Sequence, residues 1–302
     1  MNWFFVALLG YILLGIVFVL DKFILDKSVS KPVVYTFYST IFMFAALLAL
    51  PFGVEFLVGV DWIIAAIAGI GFGLGLWWMY KAVSIGETSH MSPFIGAGII
   101  VFIYALSRYF LGEELTNVQI VGIVLLVCAS LLLSFEKSNK HNGFHKGFLW
   151  GIAAAFAFAI SHVASKYIYD VYDFFSGFIW TRAAIGLVGI MALAYPSVWK
   201  TFKKKKKEKS KVYAKRHVVG IVASNKILGV VAVILIQYAI ALGSVTLVNA
   251  MAGLQYAFMF LLIIMFTKFA PKVLKETFTK KELLIEWMGM FLIVIGSALF
   301  VL

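Results

Sequence analysis

VVGIVASNKILGVVAVILIQYAIAL, residues Val218–Leu242, decides how the rest of the chain is read. At about 1.5 Å per residue, a helix of this length crosses a bilayer core of about 30 Å. Yet it holds Asn225 and Lys226 about a third of the way in, and Gln237 and Tyr238 near its end. A lysine at that depth costs roughly 2.5–3.5 kcal/mol on insertion scales. Lys226 and Gln237 stand eleven residues apart, close to three helical turns, so they share one face. A helix that carries such a stripe faces something polar inside the protein, and a substrate path is the functional reading. Snorkelling of Lys226 toward the basic end, ~12 Å away, is the other, and a four-carbon stem covers only part of that distance.

The same apolar character recurs along the whole chain. Of its 302 residues 63% are hydrophobic and its mean hydropathy is +1.00, whereas soluble domains are roughly half apolar. The composition predicts an all-α membrane protein with ten transmembrane helices, at approximately 2–20, 33–52, 61–83, 92–111, 118–135, 147–169, 174–195, 218–242, 245–267 and 284–302. No basic residue precedes Lys22, so the first span reads as a retained helix rather than a cleaved signal. The net charge of +12 does not point to nucleic acid, because the basic residues lie between apolar runs. They read as topology signals and contacts for anionic lipids. Cys128 is the sole cysteine and excludes an internal disulfide.

Charge alternates from loop to loop. Lys22, Lys27 and Lys31 follow the first span, Lys137, Lys140 and Lys146 the fifth, a dense run from Lys200 to Arg216 the seventh, and Lys268 to Lys281 the ninth. The intervening loops carry Glu55, Asp61, Glu113, Glu114, Asp170 and Asp173 instead. By the positive-inside rule the basic loops are cytoplasmic and both termini lie outside. Sequence echoes accompany this alternation. Asp21–Asp26 (DKFILD) parallels Ser165–Asp170 (SKYIYD), and Gly122–Ser130 has the same Gly-to-Ser spacing as Gly289–Ser297. Five spans are thus followed by five related ones, and an odd number per copy forces the second to enter the membrane inverted. Two inverted five-helix repeats result, at 1–135 and 147–302, with a linking loop at 136–146 and a basic loop at 197–217. Such repeats are characteristic of transporters, which place their site near the bilayer midplane.

Tyr80-Lys-Ala-Val-Ser-Ile-Gly86, the turn Gly112-Glu-Glu-Leu-Thr116 and Gln119-Ile-Val-Gly122 resemble the EamA-like repeat of the drug/metabolite transporter superfamily. In the second half Tyr238–Gly243 fits the same pattern, whereas Lys280-Lys-Glu-Leu283 replaces the Gly-Glu-x-Leu-Thr turn. The resemblance implies a multi-pass protein of the cell or inner membrane that exports or takes up metabolites. Members of that family are often drawn with both termini in the cytoplasm, opposite to the charge pattern here.

Polar residues inside the spans are the candidate site. Lys226 and Asn225 lead, followed by Arg182, which cannot deprotonate and so needs an acceptor at its depth in the seventh span. Gln237 and Tyr238 continue the stripe. In the sixth span His162 and Lys166 form an i, i+4 pair flanked by serines; His162 reads as a proton relay or as a histidine hydrogen-bonded to serine. Trp78, Tyr80 and Lys81 cluster with Trp77 in the third span, where Trp77 and Lys81 have the spacing of a cation–π pair and the aromatics equally suit an interfacial belt. Glu87, His90, Asn249 and Gln255 are lesser candidates. The run Gly69–Gly75 lacks the Lys-Ser/Thr and strand of a phosphate loop, and with Gly147/Gly151 it reads as small-residue helix packing. His141 and His145 have no further ligand nearby, so neither metal nor cofactor is expected.

No acid lies deep in a span, which removes the carboxylate logic of cation/proton exchange. Deep cations favour carboxylate or phosphate. The expected function is a secondary transporter of a small organic metabolite, anionic or zwitterionic, such as an amino acid, acting as monomer or homodimer. The alternative is a flippase or transporter of a lipid-linked or phosphorylated substrate. An enzyme would need a nucleophile and base, paired carboxylates or a metal set, and no such cluster is present in the sequence.

Overall fold

The computed structural model describes residues 2–24, 31–85, 88–134, 146–203, 216–269 and 280–300. Glu87, His141, His145 and the basic run at 204–215 lie outside the described residues, as does the side chain of His90. The described chain is helical throughout. In order it forms α1 (Asn2–Ile24), α2 (Pro32–Ile41), a 3-10 helix (Phe42–Phe52), α3 (Asp61–Ile85), α4 (Thr88–Phe110), α5 (Asn117–Ser134), α6 (Lys146–Val171), α7 (Phe174–Ala192), α8 (Pro196–Lys203), α9 (Arg216–Leu242), α10 (Val245–Ala250), α11 (Ala252–Phe269) and α12 (Lys280–Ala298).

Among the described residues seven helical stretches are long and apolar enough to cross a membrane: Pro32–Phe52, Asp61–Ile85, Met91–Phe110, Lys146–Val171, Phe174–Ala192, Ser224–Leu242 and Val245–Phe269. Three shorter apolar helices, Asn2–Val17, Asn117–Leu132 and Leu283–Ala298, accompany them. This is a multi-pass integral membrane protein. The large apolar side chains that remain exposed, such as Leu48, Val121 and Phe291, then face hydrocarbon rather than water.

Local chemistry sets several boundaries. Gly112 has φ +65°, a conformation that favours glycine, and turns the chain out of α4. Thr116 then caps α5: the Gln119 amide donates to Thr116 Oγ1 (3.3 Å) and the Thr116 amide donates to Gln119 Oε1 (3.0 Å), a reciprocal capping box. Asp173 accepts from the Ser176 amide at the start of α7, and Ser244 from the Leu247 amide at the start of α10.

Three expectations are corrected here. The second span is not one α-helix: past Ile41, which meets Gly189 of α7, it tightens into an eleven-residue 3-10 helix with Pro51 inside and Phe44 pressed against Gly186. The ninth span is also broken, at Met251 between α10 and α11. The basic loop at 197–217 opens with α8, which buries Val198 and leaves Trp199 and Phe202 exposed, as a helix lying in the interface does.

The helices alternate between two ends of the bundle. Glu55, Asp61, Glu113, Asp170 and Asp173 fall at one, the acidic end; Lys146, Lys200 and Lys268 fall at the other, the basic end. Helix α1 packs on α9 and α11, α3 lies against α6 and α7, α4 against α5 and α6, and α5 against α12. Glycine makes the closest of these approaches possible. A Cβ on Gly69 would stand 2.3 Å from the Ala184 carbonyl carbon, and one on Gly73 would strike Val188, so this side of α3 fits α7. Gly71 and Gly75 meet Ala157 and Phe158 of α6 on the other side. Gly122 of α5 and Gly296 of α12 likewise leave each other no room for a methyl group.

Candidate substrate site

Arg182 lies about nine residues into the 19-residue α7, near mid-membrane, and is only 7% exposed. Its guanidinium has an aromatic ring on two sides: Phe72 of α3 at 5.3 Å and Phe178 of its own helix at 5.2 Å from the ring centroids. These contacts offset part of the desolvation cost. The Tyr169 hydroxyl of α6 lies beside the guanidinium. That hydroxyl donates in turn to Gln237 Oε1 of α9 at 2.9 Å and lies 3.4 Å from Thr181 Oγ1. His162, one face of α6 below Tyr169, meets Phe72 edge-on at 6.3 Å. Four helices thus converge on one cation, with no carboxylate paired to it among the described residues. The Arg182 Nε is buried and has no hydrogen-bond partner. A buried N–H of a charged group left bare costs free energy, so it marks a place that an oxyanion would occupy.

The acidic end above this cluster is closed. Helix α9 meets α6 and α7 through its last six residues: Gln237 with Tyr169, Tyr238 with its ring tilted against Phe174 at 5.1 Å, and the Ala241 carbonyl accepting from Lys166 Nζ at 3.2 Å. Lys166 also pairs with Asp170 at 2.6 Å. Nearer the basic end the same side of α9 is open: Lys226 is exposed and Val230 is 60% exposed. At the acidic surface Glu113 Oε2 accepts from Ser107 Oγ and Thr246 Oγ1, tying α4 to α10. Its carboxylate borders a cavity of about 420 Å³ that Glu114, Lys166, Asp170 and Trp3 also line.

Residues 1–135 match the model of the EamA-like transporter family. The match covers the first 135 of 302 residues and suggests membrane transport of the drug/metabolite type. A solved crystal structure superposes on the whole chain with a TM-score of 0.68 at 15% identity, covering 100% of this chain and 99% of that one. At that identity the likeness is one of fold. No curated protein matches the chain in sequence. The EamA-like stretch supplies Phe72 to the cluster, and the rest comes from α6, α7 and α9.

The structure brings together Arg182, His162 and Gln237 of the residues singled out in the sequence. It separates the others. Lys226 and Gln237 do share a side of α9, but the stripe is not uniformly buried: Gln237 is 4% exposed under Tyr169, while Lys226 sits at the open, basic-end part. Asn225 is fully buried, yet its register with Gly229, Ala232 and Ile236 turns it toward α1. Tyr238 is 40% exposed and packs at a tilt against Phe174 rather than entering the cluster. Lys81 does not pair with Trp77; its ammonium lies 3.5 Å over the Trp150 ring of α6, and Trp77 packs on Tyr195. Tyr80 shares a hydrogen bond with Ser39, and Trp78 joins the apolar packing around Ala82 and Met91. Lys166 is held by Asp170 rather than by His162.

Phe72, Tyr169 and Phe178 were missed. Tyr169 carried a usable signal: it follows His162 by seven residues, two helical turns, and so shares its face. Among the described residues no group of three or more His, Cys, Asp or Glu could hold a metal ion.

Proposed function

We propose that the protein is a secondary transporter of a small organic metabolite, anionic or zwitterionic in class, working by alternating access between two inverted five-helix repeats. The observation that carries this is Arg182: a guanidinium buried at mid-membrane, pinned by rings and by Tyr169, with one N–H left bare. A purely structural cation would have its donors satisfied by neighbouring carbonyls. The packing supports the repeat reading. If the seven long and three shorter apolar helices are ten spans, adding five to each span number turns one contact into another. The α1–α9 pair becomes α6–α3, the α4–α6 pair becomes the contact of the ninth span with α1, and α5–α12 maps onto itself. The closed acidic end and the exposed Lys226 and Val230 support a state open toward the basic face. On the charge pattern that face is cytoplasmic, with anionic headgroups at its lysines.

Exchange transport in proteoliposomes tests the reading. Vesicles loaded with radiolabelled carboxylates and amino acids should release at least one solute, and Arg182→Gln should abolish that release. Retention of every solute, with scrambling of a fluorescent phospholipid instead, would replace this reading with the lipid one. The observation favouring that second reading is an apolar groove of about 560 Å³, lined by Ile67, Leu106, Phe156 and Tyr167, with almost no polar surface.

A further inference from the structure

We infer that the Arg182 site selects a monoanionic carboxylate without an ammonium group, attached to an apolar or aromatic body. The inference rests on the transport reading and narrows it by charge, by geometry and by the site's walls.

Charge comes first. Arg182 is the one cation at the cluster. The next along the path, Lys226, is eleven residues from Gln237, roughly 16 Å along α9, and cannot share a small anion with Arg182. Within α3, α6, α7 and α9 the only acids are Asp61 and Asp170, both near the acidic end, and Asp170 is taken by Lys166. A buried charge is tolerated when it is matched. A single carboxylate matches Arg182. A phosphate dianion brings one negative charge too many. An α-ammonium brings a positive charge with no carboxylate to meet it, and the nearby oxygens are engaged: Gln237 Oε1 accepts from Tyr169, and Thr181 Oγ1 donates to the Gly177 carbonyl.

Geometry adds orientation. Phe72 and Phe178 lie within about 5 Å of the guanidinium, and the Tyr169 hydroxyl stands beside it. What remains is the edge that carries the bare Nε–H. A guanidinium edge presents parallel N–H bonds in one plane, which a planar carboxylate accepts with two oxygens. Around the guanidinium Phe72 meets Phe158 and the His162 ring, and Phe72, His162 and Phe178 each keep part of their surface uncovered. An aromatic or branched apolar body would cover that surface; a sugar or a second carboxylate would not.

The test is binding to the purified full chain in detergent, by calorimetry and thermal shift. Four probes share one body: phenylacetate, phenylalanine, phenyl phosphate and phenethylamine. Phenylacetate should bind at least about tenfold more tightly than phenylalanine and phenyl phosphate, and phenethylamine should not bind, as expected when one matched charge-assisted pair is gained or lost. Arg182→Gln should remove phenylacetate binding. Should that variant fail to fold, Arg182→Lys keeps the charge without the planar fork and should weaken binding by about tenfold while thermal stability without ligand holds. Equal or stronger binding of phenylalanine or phenyl phosphate overturns the inference, as does phenylacetate binding unchanged in Arg182→Lys. Those outcomes leave the transport reading standing if an Arg182-dependent solute still exchanges in vesicles. Absence of binding by all four probes to the wild type overturns the inference as well.

Discussion

Tyr169 connects the site to its closure with a single hydroxyl. It lies beside the Arg182 guanidinium, donates to Gln237, and its ring meets Phe174 edge-on at 5.5 Å. Tyr169→Phe keeps the ring and leaves the buried Gln237 without its donor, which should cost about 1–3 kcal/mol of thermal stability in detergent. The same change frees α9 from α6 at the acidic end, so exchange should lose tightness to the carboxylate more than it loses maximal rate. An unchanged melting temperature together with unchanged transport would remove Tyr169 from the mechanism. Arg182, His162 and Gln237 were legible in the sequence because a polar residue in an apolar run is costly and therefore conspicuous. Phe72 and Phe178 were not, because one phenylalanine among many apolar neighbours carries no mark of what it touches. Lys81 shows the same limit: spacing along one helix offers Trp77, and only the neighbouring helix reveals Trp150.

At the scale of elements, the stretch before α3 is held by side chains of the α6–α7 corner. The Glu55 amide donates to Ser176 Oγ at 2.8 Å, Trp180 Nε1 donates to the Glu55 carbonyl at 2.7 Å, and the Tyr172 hydroxyl donates to Asp61 Oδ2 at 2.7 Å. That last bond, followed by desolvation, holds the Tyr172 pKa above its usual value. A raised value means that folding favours the protonated phenol. Its stabilising effect is complete below the ordinary tyrosine range and is lost as pH rises through the folded-state value. Wild type should therefore melt above Tyr172→Phe near neutrality, and the gap should close only as pH rises above the ordinary tyrosine value of about 10. Thr116→Val should destabilise by about 1 kcal/mol through loss of the α5 cap, read from the melting temperature. The apolar runs and the turn at Gly112–Thr116 were readable; the breaks inside the second and ninth spans were not. Hydropathy counts residues that fit in lipid, and a 3-10 segment or a one-residue interruption at Met251 fits as well as an unbroken helix.

At the scale of the molecule, one end is sealed by contacts between α9 and α6–α7 while the other leaves α9 uncovered. Sidedness can be measured with a membrane-impermeant maleimide, after the exposed Cys128 is replaced by serine. Val230→Cys should be labelled from the face carrying the basic loops, and Gln237→Cys should resist from either face. Labelling of position 230 from the acidic face alone would reverse the assignment of the open end. That the chain is helical and crosses a membrane several times was apparent from the sequence, since this follows from partition between water and lipid. Which helices face one another was not, because lipid-facing and partner-facing surfaces are equally apolar.

The glycines of α3 carry a last consequence. Two different helices grip this one from two sides, each through its own pair of glycines four residues apart. In a saturation-mutagenesis map of thermal stability, intolerance along this helix should therefore fall on Gly69, Gly71, Gly73 and Gly75, every other position, with Ile70 and Leu74 more forgiving of size. A two-residue rhythm of that kind is the ordinary signature of an extended strand. Here it would report a helix clamped like a blade between two jaws, and structure inferred from mutational tolerance alone would get the backbone wrong at the place where the bundle is tightest.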